Sequence, residues 1–314
     1  MPSPFGSSGD PVRRGERSRL VGAGALMGGA GNLLLMAAKL AGGYLFSSEA
    51  LIADGVHSAS DVAAAVAVGV GIRISRLPAD RDHPYGHEKA EVIAQNIVGI
   101  LLILAGIGLL VQSALTLRSG RAPMPGWVAL WIATGSLILK ELLFIQNSTV
   151  GRRFCSLAML ALAKDHRVDV WASLIAAIGI LGARAGVTAL DPLGGAAVAL
   201  LVIRAGWELV VRSTEDLMDE FDDPSTLRTL RTTVASVSDV RRIEGIRARR
   251  MGGSILVDVE IAVDGDLTVR RGHQVAGRVK DALEGLELEV EAVHVHVDPD
   301  PPEGGGEEAD RAET

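Results

Sequence analysis

Apolar residues gather in this chain in long blocks rather than on one stripe of short helices. Leu20 to Ala38, Val92 to Leu117 and Ala122 to Leu139 contain no Asp, Glu, Lys or Arg. Each is close to or above the roughly 18 apolar residues that mark a helix crossing a bilayer. Helices of soluble proteins show polar faces, and these blocks mostly lack one. Three weaker blocks, at about 48–76, 155–183 and 191–212, join spans at about 19–44, 90–117 and 126–147 to predict six membrane helices. Ionisable residues interrupt the first two of the weaker blocks.

Past about residue 222 the blocks shorten and the period changes. Residues 224–237 read as a helix opened by Asp223 and Pro224. The stretch 254-SILVDVEIAV-263 alternates like a strand, 268–284 returns to helical spacing, and 288-LEVEAVHVHVD-298 alternates again. A further strand at about 242–250 completes a helix-strand-strand-helix-strand order, an α+β sandwich of about 75 residues. The predicted division is 19–214 for the membrane part and 215–298 for the sandwich. Residues 1–18 and the Pro/Gly/Glu-rich 299–314 are expected to be disordered. No cleavable signal is evident at the start, which reads as cytosolic.

Composition changes this picture little. Of 314 residues 48% are hydrophobic, and the net charge of -7 comes largely from the C-terminal third. Cys155 stands alone, which excludes an internal disulfide and any Cys-rich metal site. The distribution of Lys and Arg sets orientation. Arg13, Arg14, Arg17 and Arg19 precede the first span. Arg73, Arg76, Arg81 and Lys89 surround the loop after the second, and Arg152 and Arg153 precede the fifth. Arg118, Arg121 and Arg184 fall on the opposite side. The expectation is a multi-pass protein of the inner (plasma) membrane with both termini in the cytosol.

Candidate chemistry lies where charge enters apolar sequence. The segment 50-ALIADGVHSASDVAAAVAVGV-70 carries Asp54, His57 and Asp61. His57 and Asp61 are four apart and share a helix face; Asp165 and Asp169, in 163-AKDHRVDVWAS-173, do the same. Charge within a bilayer normally faces a cavity or a partner. Two such pairs can surround one cation, and imidazole nitrogen and carboxylate oxygen both suit divalent transition metals. The alternative is interhelical hydrogen bonding without metal, with Arg167 neutralising a neighbour. Asp80, His83 and His87, in 78-PADRDHPYGHEKAE-91, offer one oxygen and two nitrogens, and 294-HVH-296 offers two more. No HExxH, GxSxG or phosphate-binding Gly-rich loop is present.

Together ALIADGVHSASD, the PADRDHPYGHEKAE loop, DHRVD and the terminal HVHVDP resemble the cation diffusion facilitator family over about residues 18–300. The resemblance implies six membrane helices plus a cytosolic ferredoxin-like domain, assembled as a homodimer that exports divalent metal in exchange for protons. It implies a transport site of His57, Asp61, Asp165 and Asp169, and a loop site of Asp80, His83 and His87. In the cytosolic domain it implies ligands at His273, His296 and Asp298, with Glu244 and Glu260 where zinc-transporting relatives often have histidines. His294 is a candidate substitute on the same strand face as His296. Lys89 and Asp219 match a charge pair that ties the membrane domains of the dimer near the cytosolic surface.

Zinc members commonly carry HxxxD on the fifth helix. Here the first position is Asp165, and His166 falls about 100° further round and off the ligand face. Three carboxylates with one imidazole make a harder site, which leans towards Mn²⁺ or Fe²⁺, although Zn²⁺ accepts such a set. Two other readings compete: a membrane metal sensor without transport, and an intramembrane metal-dependent hydrolase. The hydrolase would need a general base apart from the ligands, and the sequence offers none. Metal is thus expected as substrate, and also as a regulator bound to the cytosolic domain. Nothing in the sequence points to nucleic acid.

Overall fold

The computed structural model describes residues 31–153, 157–251, 254–286 and 288–300. The predicted first span, 19–44, is therefore described only from residue 31, and residues 31–45 are helical (α1). The predicted disordered segments, 1–18 and 299–314, lie outside the described residues except for Pro299 and Asp300. Five further long helices follow: α2 (Glu49–Ser75), α3 (Ala90–Ser119), α4 (Trp127–Arg153), α5 (Leu157–Arg184) and α6 (Leu190–Leu217). Among the described residues these five are long and apolar enough to cross a membrane. After them come α7 (Pro224–Ala235), β1 (Arg242–Met251), β2 (Ser254–Asp264), α8 (Val269–Glu284) and β3 (Val290–Asp300). The described residues form two compact units, 31–70 with 94–211 and 71–93 with 212–300.

The helical unit is built inside out relative to a soluble domain. Leu101, Leu104, Trp131, Ile178 and Leu200 point outward, more than half exposed. Lys39, Asp54, Ser58, Lys140 and Ser173 are fully buried. That inversion suits a hydrocarbon solvent, in which every polar group must be satisfied internally. Helices approach closely wherever side chains are small. A Cβ on Gly99 of α3 would meet the Gly206 carbonyl of α6 at 2.9 Å, and one on Gly106 would meet the Ala199 carbonyl at 3.1 Å. Without hydrophobic attraction between helices in lipid, such close backbone packing is a main source of cohesion. Ala50, Ala129, Ala133 and Ala176, with Leu51 and Ile180, form a second tight cluster between α2, α4 and α5.

The turn from α1 into α2 is fixed by Asp191. Ser48 Oγ accepts from Leu51 N–H, which caps α2, and donates to Asp191 Oδ1 at 2.7 Å. Glu49 N–H donates to Asp191 Oδ2 at 2.7 Å. An α6 carboxylate thus takes up orphan donors at the start of α2, where negative charge is favoured.

The second unit has the predicted αββαβ order. β1 pairs antiparallel with β2, and β2 pairs parallel with β3, giving the sheet order β1-β2-β3. β2 is the central strand and contributes Val257, Val259, Ile261 and Val263 to the core. Val275, Val279 and Leu283 recur every fourth residue along α8 and meet Leu230 and Val234 of α7 in that core. Asp223 caps α7 by accepting from Ser225 N–H (3.1 Å) and Thr226 N–H (3.0 Å), with Pro224 starting the helix.

Candidate functional site

The buried charges of the helical unit lie in layers. In one, Lys39 Nζ of α1 reaches Asp54 Oδ2 of α2 at 2.8 Å and donates to Ser58 Oγ and Ser173 Oγ at 3.0 and 3.1 Å. Ser173 Oγ in turn donates to Asp54 Oδ2 at 2.9 Å. Asp54 is thus held by a lysine and a serine.

One turn further along α2 comes the predicted transport site. His57 Nε2 lies 3.2 Å from Asp169 Oδ1, both side chains about 6% exposed. Lys140 Nζ of α4 reaches Asp169 Oδ2 at 2.5 Å and Asp61 Oδ2 at 3.9 Å. His57, Asp61 and Asp169 therefore gather from α2 and α5 as the i, i+4 spacing expects, with a lysine between the carboxylates. Asp165 also lies on α5, at an exposed position, whereas its neighbour His166 is buried with Nδ1 3.6 Å from Asp169 Oδ2. The expected distribution put His166 off this face; the structure puts it beside Asp169. The i, i+3 spacing to Asp169 is the signal that finds it, since residues three apart are neighbours on a helix. The nitrogens facing away from Asp169, Nδ1 of His57 and Nε2 of His166, are buried without a hydrogen-bond partner among the described residues. Such a nitrogen can carry the ring's proton or present its lone pair to a Lewis acid, according to the tautomer. Arg167, weighed above as a local neutraliser, pairs instead with Glu141 at 2.8 Å and lies over the Phe144 ring.

The loop residues converge more tightly. Asp80 Oδ1 is 3.4 Å from His83 Nδ1, and Oδ2 is 3.5 Å from His87 Nε2. The three donor atoms lie within 4.8 Å of one another, and among the described residues this is the one such group of three. The turn makes this possible. Gly86 sits at φ +88°, a region that favours glycine, and its N–H donates to the His83 carbonyl at 3.0 Å. His83 N–H donates to Asp80 Oδ1 at 2.7 Å, which holds this carboxyl below the usual carboxylate range. An ionised oxygen therefore stays ready between two imidazoles. Next along the chain, burial and the Glu291 carboxylate push Glu88 up.

In the sandwich, parallel pairing sets Glu260 opposite His296 and Asp258 opposite His294. His294, His296 and Asp298 occupy alternate positions of β3 and share one face. His296 Nε2 lies 3.1 Å from Asp298 Oδ1. His273 of α8 instead lines a groove of about 420 Å³ with Val295 and Val297, the intervening positions of the strand. Within one chain the expected set is thus divided between two faces. Glu260 accepts from Arg247 at 2.8 Å and Glu244 from Arg242 at 2.7 Å, so both carboxylates already hold a cation. Lys89 Nζ donates to Asp219 Oδ1 at 2.9 Å within the chain, and Arg249 approaches Asp219 Oδ2 at 3.6 Å.

Comparison with known proteins gives the family of both units. Residues 25–218 match the family profile described as the cation efflux transmembrane domain, and residues 223–300 the profile of the cation efflux protein cytoplasmic domain. The manganese efflux system protein MneP of Bacillus subtilis (strain 168) is 38% identical over 86% of this chain and 93% of its own. MneS of the same organism is 34% identical over 86% of this chain and 91% of its own. The magnetosome protein MamB of Magnetospira sp. (strain QH-2) is 32% identical over 77% and 83%. Among solved structures, a single-residue variant of the MamM-CTD aligns at 26% identity with a TM-score of 0.24, covering 24% of this chain and 96% of that one.

Proposed function

The chain belongs to the cation efflux family, the cation diffusion facilitators, transporters rather than enzymes, and on that premise we propose that it exports a divalent transition metal from the cytosol in exchange for protons. Mn²⁺ is the preferred substrate, ahead of Fe²⁺ and Zn²⁺. The observation that carries the reading is the meeting of His57 and Asp169 at 3.2 Å inside an apolar bundle, with Asp61 beside the same lysine. His57, Asp61, Asp165 and Asp169 bind the ion. Three oxygen donors to one nitrogen suit Mn²⁺, and two relatives bear the name manganese efflux protein.

Exchange follows from competition. A ligand must shed its proton to coordinate metal, so one site cannot hold both. Metal bound on the cytosolic side leaves on the far side as protons take its place, and the protonated site returns. Rocking of helices around a fixed site supplies alternating access. The bias of Lys and Arg supports cytosolic termini and a plasma-membrane setting. Two chains associate as a homodimer through the sandwich domain. The loop residues Asp80, His83 and His87, on the cytosolic side, receive metal before it enters the membrane. The face carrying His294, His296, Asp298 and Glu260, with His273, completes metal sites against the second copy and makes metal a regulator.

The test is reconstitution into vesicles holding a pH-sensitive dye, with a panel of Mn²⁺, Fe²⁺, Zn²⁺ and Mg²⁺. Metal flux with opposite proton flux, strongest for Mn²⁺, is the expected result. Metal binding without flux would make the protein a sensor and overturn the reading.

A further inference from the structure

The transport site proposed above contains a cation of its own. Lys140 has no exposed side-chain surface, and its ammonium lies against Asp169 and near Asp61. The same nitrogen donates to Asn32 Oδ1 of α1 at 2.7 Å. A lysine at such depth stands only where it is paired. Pairing alone does not explain its presence, because a buried ion pair is often no more stable than apolar residues of similar volume.

Charge counting gives Lys140 a task. With His57 neutral, the carboxylates of Asp61, Asp165 and Asp169 bring three negative charges. Lys140 reduces the sum to two, and one divalent cation then brings it to zero. Without the lysine the loaded site would be a net anion within the bilayer, bound tightly to its metal and costly to carry across. The ammonium has somewhere to go when metal takes Asp169, since Asn32 already accepts from it.

We infer that Lys140 is a tethered counter-cation that matches the charge of the transport site to one divalent ion, with Asn32 as its second acceptor. The inference rests on the transport reading above. Lys140 acts through the ligands and does not touch the metal, so it is a positioning and specificity residue.

The experiment measures initial rates of Mn²⁺ flux in vesicles containing the full chain. Lys140→Gln leaves the site one charge too negative: KM should fall about tenfold, and kcat should fall at least about tenfold. Asp165→Asn leaves it one charge too positive, and KM should rise about tenfold. In the double variant the counts match again, and KM should fall about tenfold from that of Asp165→Asn alone, the two opposite charge effects adding, while the missing ligand keeps flux below that of the parent. Lys140→Arg keeps the charge and should keep KM. A rise or no change in KM for folded Lys140→Gln would overturn the inference and leave the lysine merely structural. If Lys140→Gln does not fold, the double variant decides: a KM no lower than that of Asp165→Asn alone would equally overturn it. Absence of flux in the parent protein would strike the transport reading instead.

Discussion

Lys39 and Asp54 face each other at 2.8 Å with neither side chain reaching the surface. Removing one partner strands the other's charge in the bundle, at a cost of about 3–5 kcal/mol. Asp54→Leu alone should therefore lower the thermal midpoint strongly in detergent, read by tryptophan fluorescence. Lys39→Met combined with Asp54→Leu should recover most of the loss. A single variant as stable as the double would mean that water reaches the pair.

Asp61→Asn and Asp169→Asn keep a hydrogen-bonding side chain and remove the charge. If these residues bind the ion, flux at neutral pH should fall by more than the 10–100-fold typical of losing an outer partner of a metal ligand. Size-exclusion profiles should stay unchanged. Substantial Mn²⁺ flux by Asp61→Asn would instead return both residues to holding helices together.

The loop group makes a separate prediction. His83→Ala with His87→Ala should remove one equivalent of bound Mn²⁺ or Zn²⁺ from the full chain, measured by calorimetry. Binding at this site should also weaken towards acid pH, because protons and metal compete for the same donors. Loss of the loop equivalent should leave the intramembrane equivalent in place; an unchanged stoichiometry would deny the loop a metal.

Asp223 predicts an acid limit for the sandwich domain. The hydroxyls of Ser225 and Thr226, with their backbone N–H groups, hold its carboxyl far below the usual carboxylate range. A carboxylate depressed in the folded state contributes stability that is present above its unfolded value near 3.9 and lost as pH falls below it. Asp223→Ala should therefore lower stability at neutral pH and flatten its dependence on pH below about 4. An unaltered acid transition would show that the cap contributes little.

The blocks of the membrane helices and the alternation of the strands were legible because both depend on local period. Val257, Val259, Ile261 and Val263 announce a strand face, and Val275, Val279 and Leu283 a helix face, whatever surrounds them. The lysines were not legible. The charge-free runs Leu20 to Ala38 and Ala122 to Leu139 stop one residue short of Lys39 and Lys140, so each lysine reads as the end of an apolar block. Both helices in fact continue past it, and continuation of a helix beyond a charge is the signal that finds a buried one. Partnership lay further out of reach. Lys39 meets Ser173 and Lys140 meets Asp169 across 134 and 29 residues, and nothing periodic links such positions. His166 is hidden for a different reason: it lies about 100° round the helix from Asp165, while its contact is with Asp169.

The glycine contacts between α3 and α6 bear on how the proposed exchange would work. A methyl group at Gly99 or Gly106 would already strike a backbone carbonyl of α6, and one at Gly206 would strike the Gly99 carbonyl at 2.8 Å. Larger side chains at these positions would force the two helices apart. Their close packing makes α3 and α6 the natural fixed pair of the bundle. The charged layers, by contrast, draw their lysines, Asp54, Asp61, Asp169 and His57 from α1, α2, α4 and α5. Under the proposed exchange, the stroke that opens those layers to one side and then the other falls to these four helices, with α3 and α6 as the spine they move against.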